Sequence, residues 1–298
     1  MTSKFNSRVK GLFFCLAATL IIVSPAYGIE NKKTSFALSH YIMAGVYEDL
    51  GDIDEAIQEY KKALKADYQS SEIHLSLATS YIKKNDIPKA IEELKLAADF
   101  DPEAEEPHAI LALLYSLQKQ SDLSEKEYEI ALINASKLEP KNTEIYKSLG
   151  EVYIRQKKLK EAENTYKLIL GLSPDDSEAH FYLALIYDES KNREAAVKEL
   201  QKSIELKPDY HEALNYLGYI YAEEGRNLDQ AETMIKKALE FEPDNGAYID
   251  SLGLVYFKKG KLKEAIKELE RAAGLLSDPI INEHLQKAKE KLNAVQRR

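Results

Sequence analysis

Residues 252–272, LGLVYFKKGKLKEAIKELERA, decide the fold. Leu252-Gly253 is followed by Tyr256, Gly260, Ala265, Leu269 and Ala272. Spacings of three, four and seven fall on one face of an α-helix, so the stretch predicts two amphipathic helices. Gly260 stands between them, where a chain that reverses after a helix needs a left-handed residue. Small residues at Gly253, Ala265 and Ala272 let the two backbones approach, and Tyr256 and Leu269 fill the space beside them.

Working outward, the same pattern recurs along the chain. Tyrosine stands at 47, 81, 115, 153, 187, 221 and 256, a nearly even beat stretched once between 115 and 153. Three positions before each comes a small residue: Ala44, Ala78, Ala112, Gly150, Ala184, Gly218 and Gly253. Nine after the tyrosine, or ten in the sixth copy, comes another: Ala56, Ala90, Ala162, Ala196, Ala231 and Ala265. A large apolar residue follows by four (Tyr60, Leu94, Tyr166, Leu200, Ile235, Leu269). Gly51, Asn85 and Gly225 match Gly260 in the turn, and Pro102, Pro140, Pro174, Pro208 and Pro243 close most units. Asp52, Asp54 and Glu55 crowd the start of a second helix, where the helix dipole favours acids. Such a period means one small unit copied in tandem, with function on a composite surface.

Three places depart from the beat. The stretch from Tyr115 to Pro140 is longer by four than that from Tyr81 to Pro102. An excess of four is close to one helical turn, so the second helix of the third unit can lengthen without turning its apolar stripe away. A joint or a protruding contact at that point is the alternative. Ser124 replaces the usual alanine there, the turn QKQSD has no glycine, and either Tyr128 or Leu132 can take the large slot. The sixth unit has one extra residue at Arg226-Asn227-Leu228, read as neutral. After Pro279 one more helix is expected over about 280–295, with Ile281, Leu285, Ala288, Leu292 and Val295 as its stripe. A last helix with a wet outer face shields the end of a stack of repeats.

Segment 1–28 reads as an export signal. Lys4, Arg8 and Lys10 precede an apolar run (LFFCLAATLIIV, 12–23), and Ala26-Tyr27-Gly28 is a small-x-small cleavage site. Cleavage is expected after Gly28, with an uncleaved inner-membrane anchor as the alternative, although the run falls short of the ~20 residues that cross a bilayer. Cys15 is the only cysteine, so a mature chain owes nothing to disulfides. Beyond Gly28 there are 38 basic against 50 acidic side chains, a balance that repels nucleic acid and anionic membrane surfaces.

On these residues the chain resembles the tetratricopeptide repeat (TPR) family. The resemblance covers residues 37–278 as seven units (37–70, 71–104, 105–142, 143–176, 177–210, 211–245 and 246–278), between a flexible lead-in at 29–36 and a capping helix within 279–298. Segment 223–265 looks like exported bacterial members of the family. The implied fold is all-α, a right-handed α-solenoid of helix-turn-helix repeats. The family's usual tryptophan is absent, and its slot holds His40, His74, His108, Tyr146, His180, Leu214 and Ile249.

Four histidines in one repeat slot read as packing residues, about one unit apart and too far to share a metal. No HExxH, CxxC, GxSxG, P-loop or GxGxxG motif is present. No catalytic residue, cofactor or metal is expected. The resemblance instead implies a ligand groove along the first helices. Carried over, its positions are Tyr41, Gly45 and Glu48; Leu75, Thr79 and Ile82; Ala109, Leu113 and Ser116; and Lys147, Glu151 and Ile154. The later units give Phe181, Leu185 and Asp188; Asn215, Tyr219 and Ala222; and Asp250, Leu254 and Phe257. Of these, Leu75, Thr79, Lys147, Phe181, Leu185, Asn215, Tyr219, Leu254 and Phe257 are the candidate contacts. Only Lys147 and Asn215 are of the type used to clamp a C-terminal carboxylate, and they stand two units apart. An apolar, aromatic and acidic groove suits an amphipathic helix or extended peptide with apolar anchors and basic flanks. Phe181, Tyr182, Tyr216 and Tyr219 have the alternative role of packing between units.

The function expected is a non-catalytic protein-interaction scaffold of the bacterial cell envelope, in the periplasm. Secretion, outer-membrane assembly and polysaccharide export are the settings the resemblance suggests. Partners would be other proteins or peptides, not nucleic acid, with no membrane span after signal cleavage. A carrier of apolar peptides or lipid-like ligands, or an adaptor of a periplasmic hydrolase, are the alternatives.

Overall fold

The computed structural model describes residues 25–297, with side chains from residue 32 onward. The export signal therefore lies outside the described residues except at 25–28. The described residues form fifteen helices and no strand. The first helices of the repeats are α1 (Pro25–Leu50), α3 (Ser71–Lys83), α5 (Glu106–Leu117), α7 (Thr143–Arg155), α9 (Ser177–Glu189), α11 (His211–Glu224) and α13 (Gly246–Lys258). The second helices are α2 (Ile53–Ala66), α4 (Ile87–Phe100), α6 (Ser121–Leu138), α8 (Leu159–Leu172), α10 (Arg193–Leu206), α12 (Leu228–Phe241) and α14 (Leu262–Leu275), and α15 (Pro279–Gln296) follows them. The architecture is an all-α helical repeat solenoid. Helix α1 runs through 29–36, where the sequence predicts a flexible lead-in. The chain divides into two compact units, Met1–Gln120 and Ser121–Arg298.

Every repeat turns in the same way. The fourth residue after each tyrosine has a positive φ: Gly51, Asn85, Lys119, Lys157, Lys191, Gly225 and Gly260. Its N–H, and that of the next residue, cap the preceding helix. In the seventh repeat Gly260 N donates to Phe257 O at 3.1 Å and Lys261 N to Tyr256 O at 2.9 Å. This paired cap closes a helix on a left-handed residue. The recurring tyrosine thus supplies a cap acceptor from its backbone as well as a ring to the packing.

Between helices the small residues do what their spacing predicts. A Cβ on Gly218 would stand 2.6 Å from Ile235 Cγ1, and one on Gly150 2.6 Å from Tyr166 Cε2. The facing residues Leu94, Tyr166, Leu200, Ile235 and Leu269 are all fully buried. In the first unit they join a core of Tyr60, Leu77, Leu94 and Tyr81. In the second unit a core through Leu200, Leu217, Tyr221 and Ile235 continues to Leu252. Ala265 and Leu269 pack with Ala288 of α15 beyond it.

Helix α6 has 18 residues, against 14 in each of the other second helices. The extra turn expected from the Tyr115-to-Pro140 spacing is therefore helical. Leu132 takes the large slot, packing against Leu149 and Val152, while Tyr128 stays 38% exposed.

Candidate partner-binding face

The periodic histidines are structural. His40, His74 and His180 each place Nδ1 on a glutamate of the second helix of the same repeat: Glu59, Glu93 at 2.6 Å and Glu199 at 2.6 Å. His74 Nε2 also meets the Tyr68 carbonyl at 2.8 Å. With an acceptor at both ring nitrogens, His74 is satisfied on both sides only as the imidazolium. Burial pulls its pKa down, but Glu93 and the Tyr68 carbonyl outweigh burial and leave it raised. Among the described residues no group of three or more histidine, cysteine or acidic side chains could hold a metal.

In the first unit Ala109, Leu113 and Ser116 are exposed, whereas several positions of the first two repeats are used internally. Leu75 is half-buried against the core, and Thr79 Oγ1 donates to Ser76 O at 2.8 Å. Glu48 accepts from Tyr60, Ser80 and Lys83 at 3.2, 2.6 and 3.2 Å.

In the second unit, besides an open 560 Å³ cleft at Lys147, Asp176, Glu178 and Glu212, the first helices converge on two cavities. One, of 310 Å³, is walled by Ile154 of α7, Leu159 of α8, Leu185 and Glu189 of α9, and Tyr216 of α11. The other, of 210 Å³, lies between α11 (Asn215, Tyr216, Tyr219), α13 (Asp250, Ser251) and the segment leading into α15 (Leu276, Ile280). Tyr216 belongs to both walls. Its hydroxyl donates to Asp188 Oδ2 at 2.8 Å, and Asp188 also pairs with Arg193 at 2.7 Å. Burial, then the Asp188 hydrogen bond, push the Tyr216 pKa up.

The remaining expected positions divide. Leu185, Tyr219 and Asn215 face the cavities. Phe181 is partly buried, its ring 5.2 Å from Tyr210 and 6.5 Å from Tyr216, so it takes its alternative role of packing between repeats. Leu254 and Ala222 are corrections, 3% and 0% exposed, whereas Asp250, 6% exposed, lines the second cavity. Adjacent repeats and α15 close over them, because the turn of a solenoid brings the next helix closer than a single repeat discloses. Phe257 is also covered in part, with Lys291 of α15 4.6 Å from its ring centroid. Lys147 is spent on three carboxylates, Glu178 at 2.8 Å, Asp176 at 3.0 Å and Glu144 at 3.3 Å. Burial opposes its charge, but Glu178 and Asp176 outweigh burial and hold its pKa above the ordinary lysine value. A lysine so occupied does not clamp a ligand carboxylate.

Three contributors escape the repeat register. Tyr216 reads in sequence as a packing residue, although its i, i+3 relation to Tyr219 marks a shared helix face. Leu276 and Ile280 reach the second cavity from beyond the last helix pair, and no repeat position announces them.

Comparison with known proteins agrees with this architecture. A family model described as the cilia and flagella-associated protein 70 C-terminal domain matches residues 16–245, and a tetratricopeptide repeat model matches residues 248–275. The chain belongs to this tetratricopeptide-repeat family. Members bind other proteins or peptides and generally serve as non-catalytic scaffolds. PilF of Pseudomonas aeruginosa is similar at 18% identity and TM-score 0.51, over 74% of this chain and 97% of that one. The APC/C hetero-tetramer Cut9–Hcn1 is similar at 15% identity and TM-score 0.51, over 87% of this chain and 48% of that one. The MamA protein is 24% identical with a TM-score of 0.45, over 58% and 92%. None of the curated proteins matches in sequence. No helix of the described residues is long and apolar enough to cross a membrane.

Proposed function

We propose that this protein is a non-catalytic scaffold that holds a partner peptide or protein segment on the first-helix face of its second unit. The observation that carries the reading is the pair of cavities sharing Tyr216, one walled mainly by aliphatic side chains and one that sets an amide and two carboxylates among aromatic and aliphatic side chains. An extended or helical segment with an apolar anchor and a polar one fits such a face. We further propose export through residues 1–28 and a role in the cell envelope, supported by the basic, apolar and small-residue order of that segment.

The test is site-specific photo-crosslinking in envelope extract, from position 185 for the disrupting variant Tyr219→Glu and from position 189 of the same cavity for Leu185→Glu. Each variant is expected to reduce partner capture at least tenfold while far-UV circular dichroism and the melting temperature stay near wild type. Undiminished capture by a folded variant would move the site off this face. A second reading, a carrier of a small apolar ligand, is favoured by the aliphatic wall of the 310 Å³ cavity. Native mass spectrometry of the purified protein would then show a co-purified small molecule.

A further inference from the structure

The smaller cavity, of 210 Å³, has a wall chemistry that specifies what enters it. Asn215 is nine-tenths buried, and its Oδ1 has no hydrogen-bond partner among the described residues. A buried acceptor left unpaired costs free energy, so the site gains from any ligand that brings a donor. Beside it stands Asp250, 6% exposed. Both Asp250 oxygens lie 3.0 Å from His284 Nδ1 of α15, which takes only part of their accepting capacity. Asp278 is the second carboxylate of the wall, and the wall contains no lysine or arginine. Burial first, then the charges of Glu223 and Asp250, raise the Tyr219 pKa. Leu276 and Ile280 supply apolar surface at the opening.

We propose that this cavity is the specificity pocket for a basic side chain of the bound partner, arginine in the first place. The guanidinium donates to Asn215 Oδ1 and the Asp250 carboxylate, and its methylene stem lies along Leu276 and Ile280. Three features select this class. Two carboxylates, paired only in part by His284 Nδ1 and Ile280 N, and an unpaired carbonyl form an acceptor-rich set, which a neutral amide ligand would satisfy only in part. Tyr216 and Tyr219 line the cavity, and an aromatic wall favours a planar guanidinium over an ammonium. An aliphatic stem under a charged head also suits a pocket with an apolar rim and an acidic floor. The inference rests on the proposed partner-binding face and adds what that face selects.

The experiment uses the full-length protein with N-acetyl-arginine methylamide as probe, followed by side-chain NMR of Asn215 and the tyrosines. Saturable shifts at Asn215 and Tyr219 are expected. N-acetyl-lysine methylamide should bind several-fold more weakly, and the neutral isostere N-acetyl-citrulline methylamide at least tenfold more weakly. Asn215→Leu should cost at least tenfold in probe affinity. Asp250→Asn should do likewise, and because Asp250 also holds α15, Asn215→Leu with an unchanged melting temperature is the deciding variant. Equal binding of the arginine and citrulline probes, or full binding by folded Asn215→Leu, overturns the pocket. Loss of partner crosslinking at position 185 with probe binding intact would instead overturn the wider reading of the face.

Discussion

At the residue scale, the seven turns separate what residue type requires from what position imposes. Glycine or asparagine at 51, 85, 225 and 260 is legible in sequence because those residues tolerate positive φ. Lys119, Lys157 and Lys191 adopt the same conformation with φ of 60°, 58° and 62°. Lysine has no preference for it, so the cap hydrogen bonds and the packing of flanking helices hold it there. Left-handed backbone costs a non-glycine residue about 1 kcal/mol or more, and glycine returns roughly 0.5–1 kcal/mol of that through the unfolded chain. Lys191→Gly is accordingly expected to stabilise the protein by about 0.5 kcal/mol. The readout is a higher urea midpoint at unchanged slope, and a lower midpoint would show that the lysine makes a contact worth more than its strain.

At the element scale, adjoining helices are joined by few and specific contacts. Four tyrosines are met by the residue that follows the large core residue of the preceding repeat. Lys61, Lys167 and Lys236 lie 5.7, 5.8 and 5.8 Å from the ring centroids of Tyr81, Tyr187 and Tyr256, and Gln201 donates to the Tyr221 hydroxyl at 3.1 Å. The tyrosine beat is thus a joint between repeats as well as a packing element within one. The His74–Glu93 pair joins α3 to α4 and carries a pH dependence. The folded pKa of His74 is raised above the unfolded value near 6.5. Its contribution to stability is therefore fully present below about pH 6.5 and lost as pH rises through the folded pKa. In denaturant titrations, His74→Gln is expected to cost about 1–3 kcal/mol at pH 6 and distinctly less at pH 9. A deficit of equal size at both pH values would show that the imidazolium contributes no more than its shape.

At the scale of the whole molecule, a stack of repeats is held by neighbour contacts, so loss of an end is felt near that end first. Helix α15 covers Leu269 with Ala288 and Ile249 with Ile281. Deleting 279–298 is expected to lower the melting temperature and to remove hydrogen-exchange protection from α13 and α14 before α7 to α10. Uniform loss of protection across 121–298 would mean that the second unit unfolds as one cooperative block. The deletion also removes one wall of the 210 Å³ cavity.

Local periodicity determined much of this protein. Residues 252–272, the tyrosine beat and the excess of four before Pro140 specify paired helices, the repeat and the longer α6, because helix spacing and turn chemistry act within a few residues. The structural role of the histidines was legible for the same reason, although their glutamate partners on the following helix were not. The binding face was only half legible. Leu185, Tyr219 and Asp250 stand where the repeat register put them, but Leu254 and Ala222 are buried by neighbours. Tyr216, Leu276 and the unpaired Asn215 carbonyl acquire meaning only from helices that meet across repeats. Register is set by contacts along the chain, whereas burial and hydrogen-bond satisfaction depend on residues from other repeats, and only the tertiary structure decides which of those arrive.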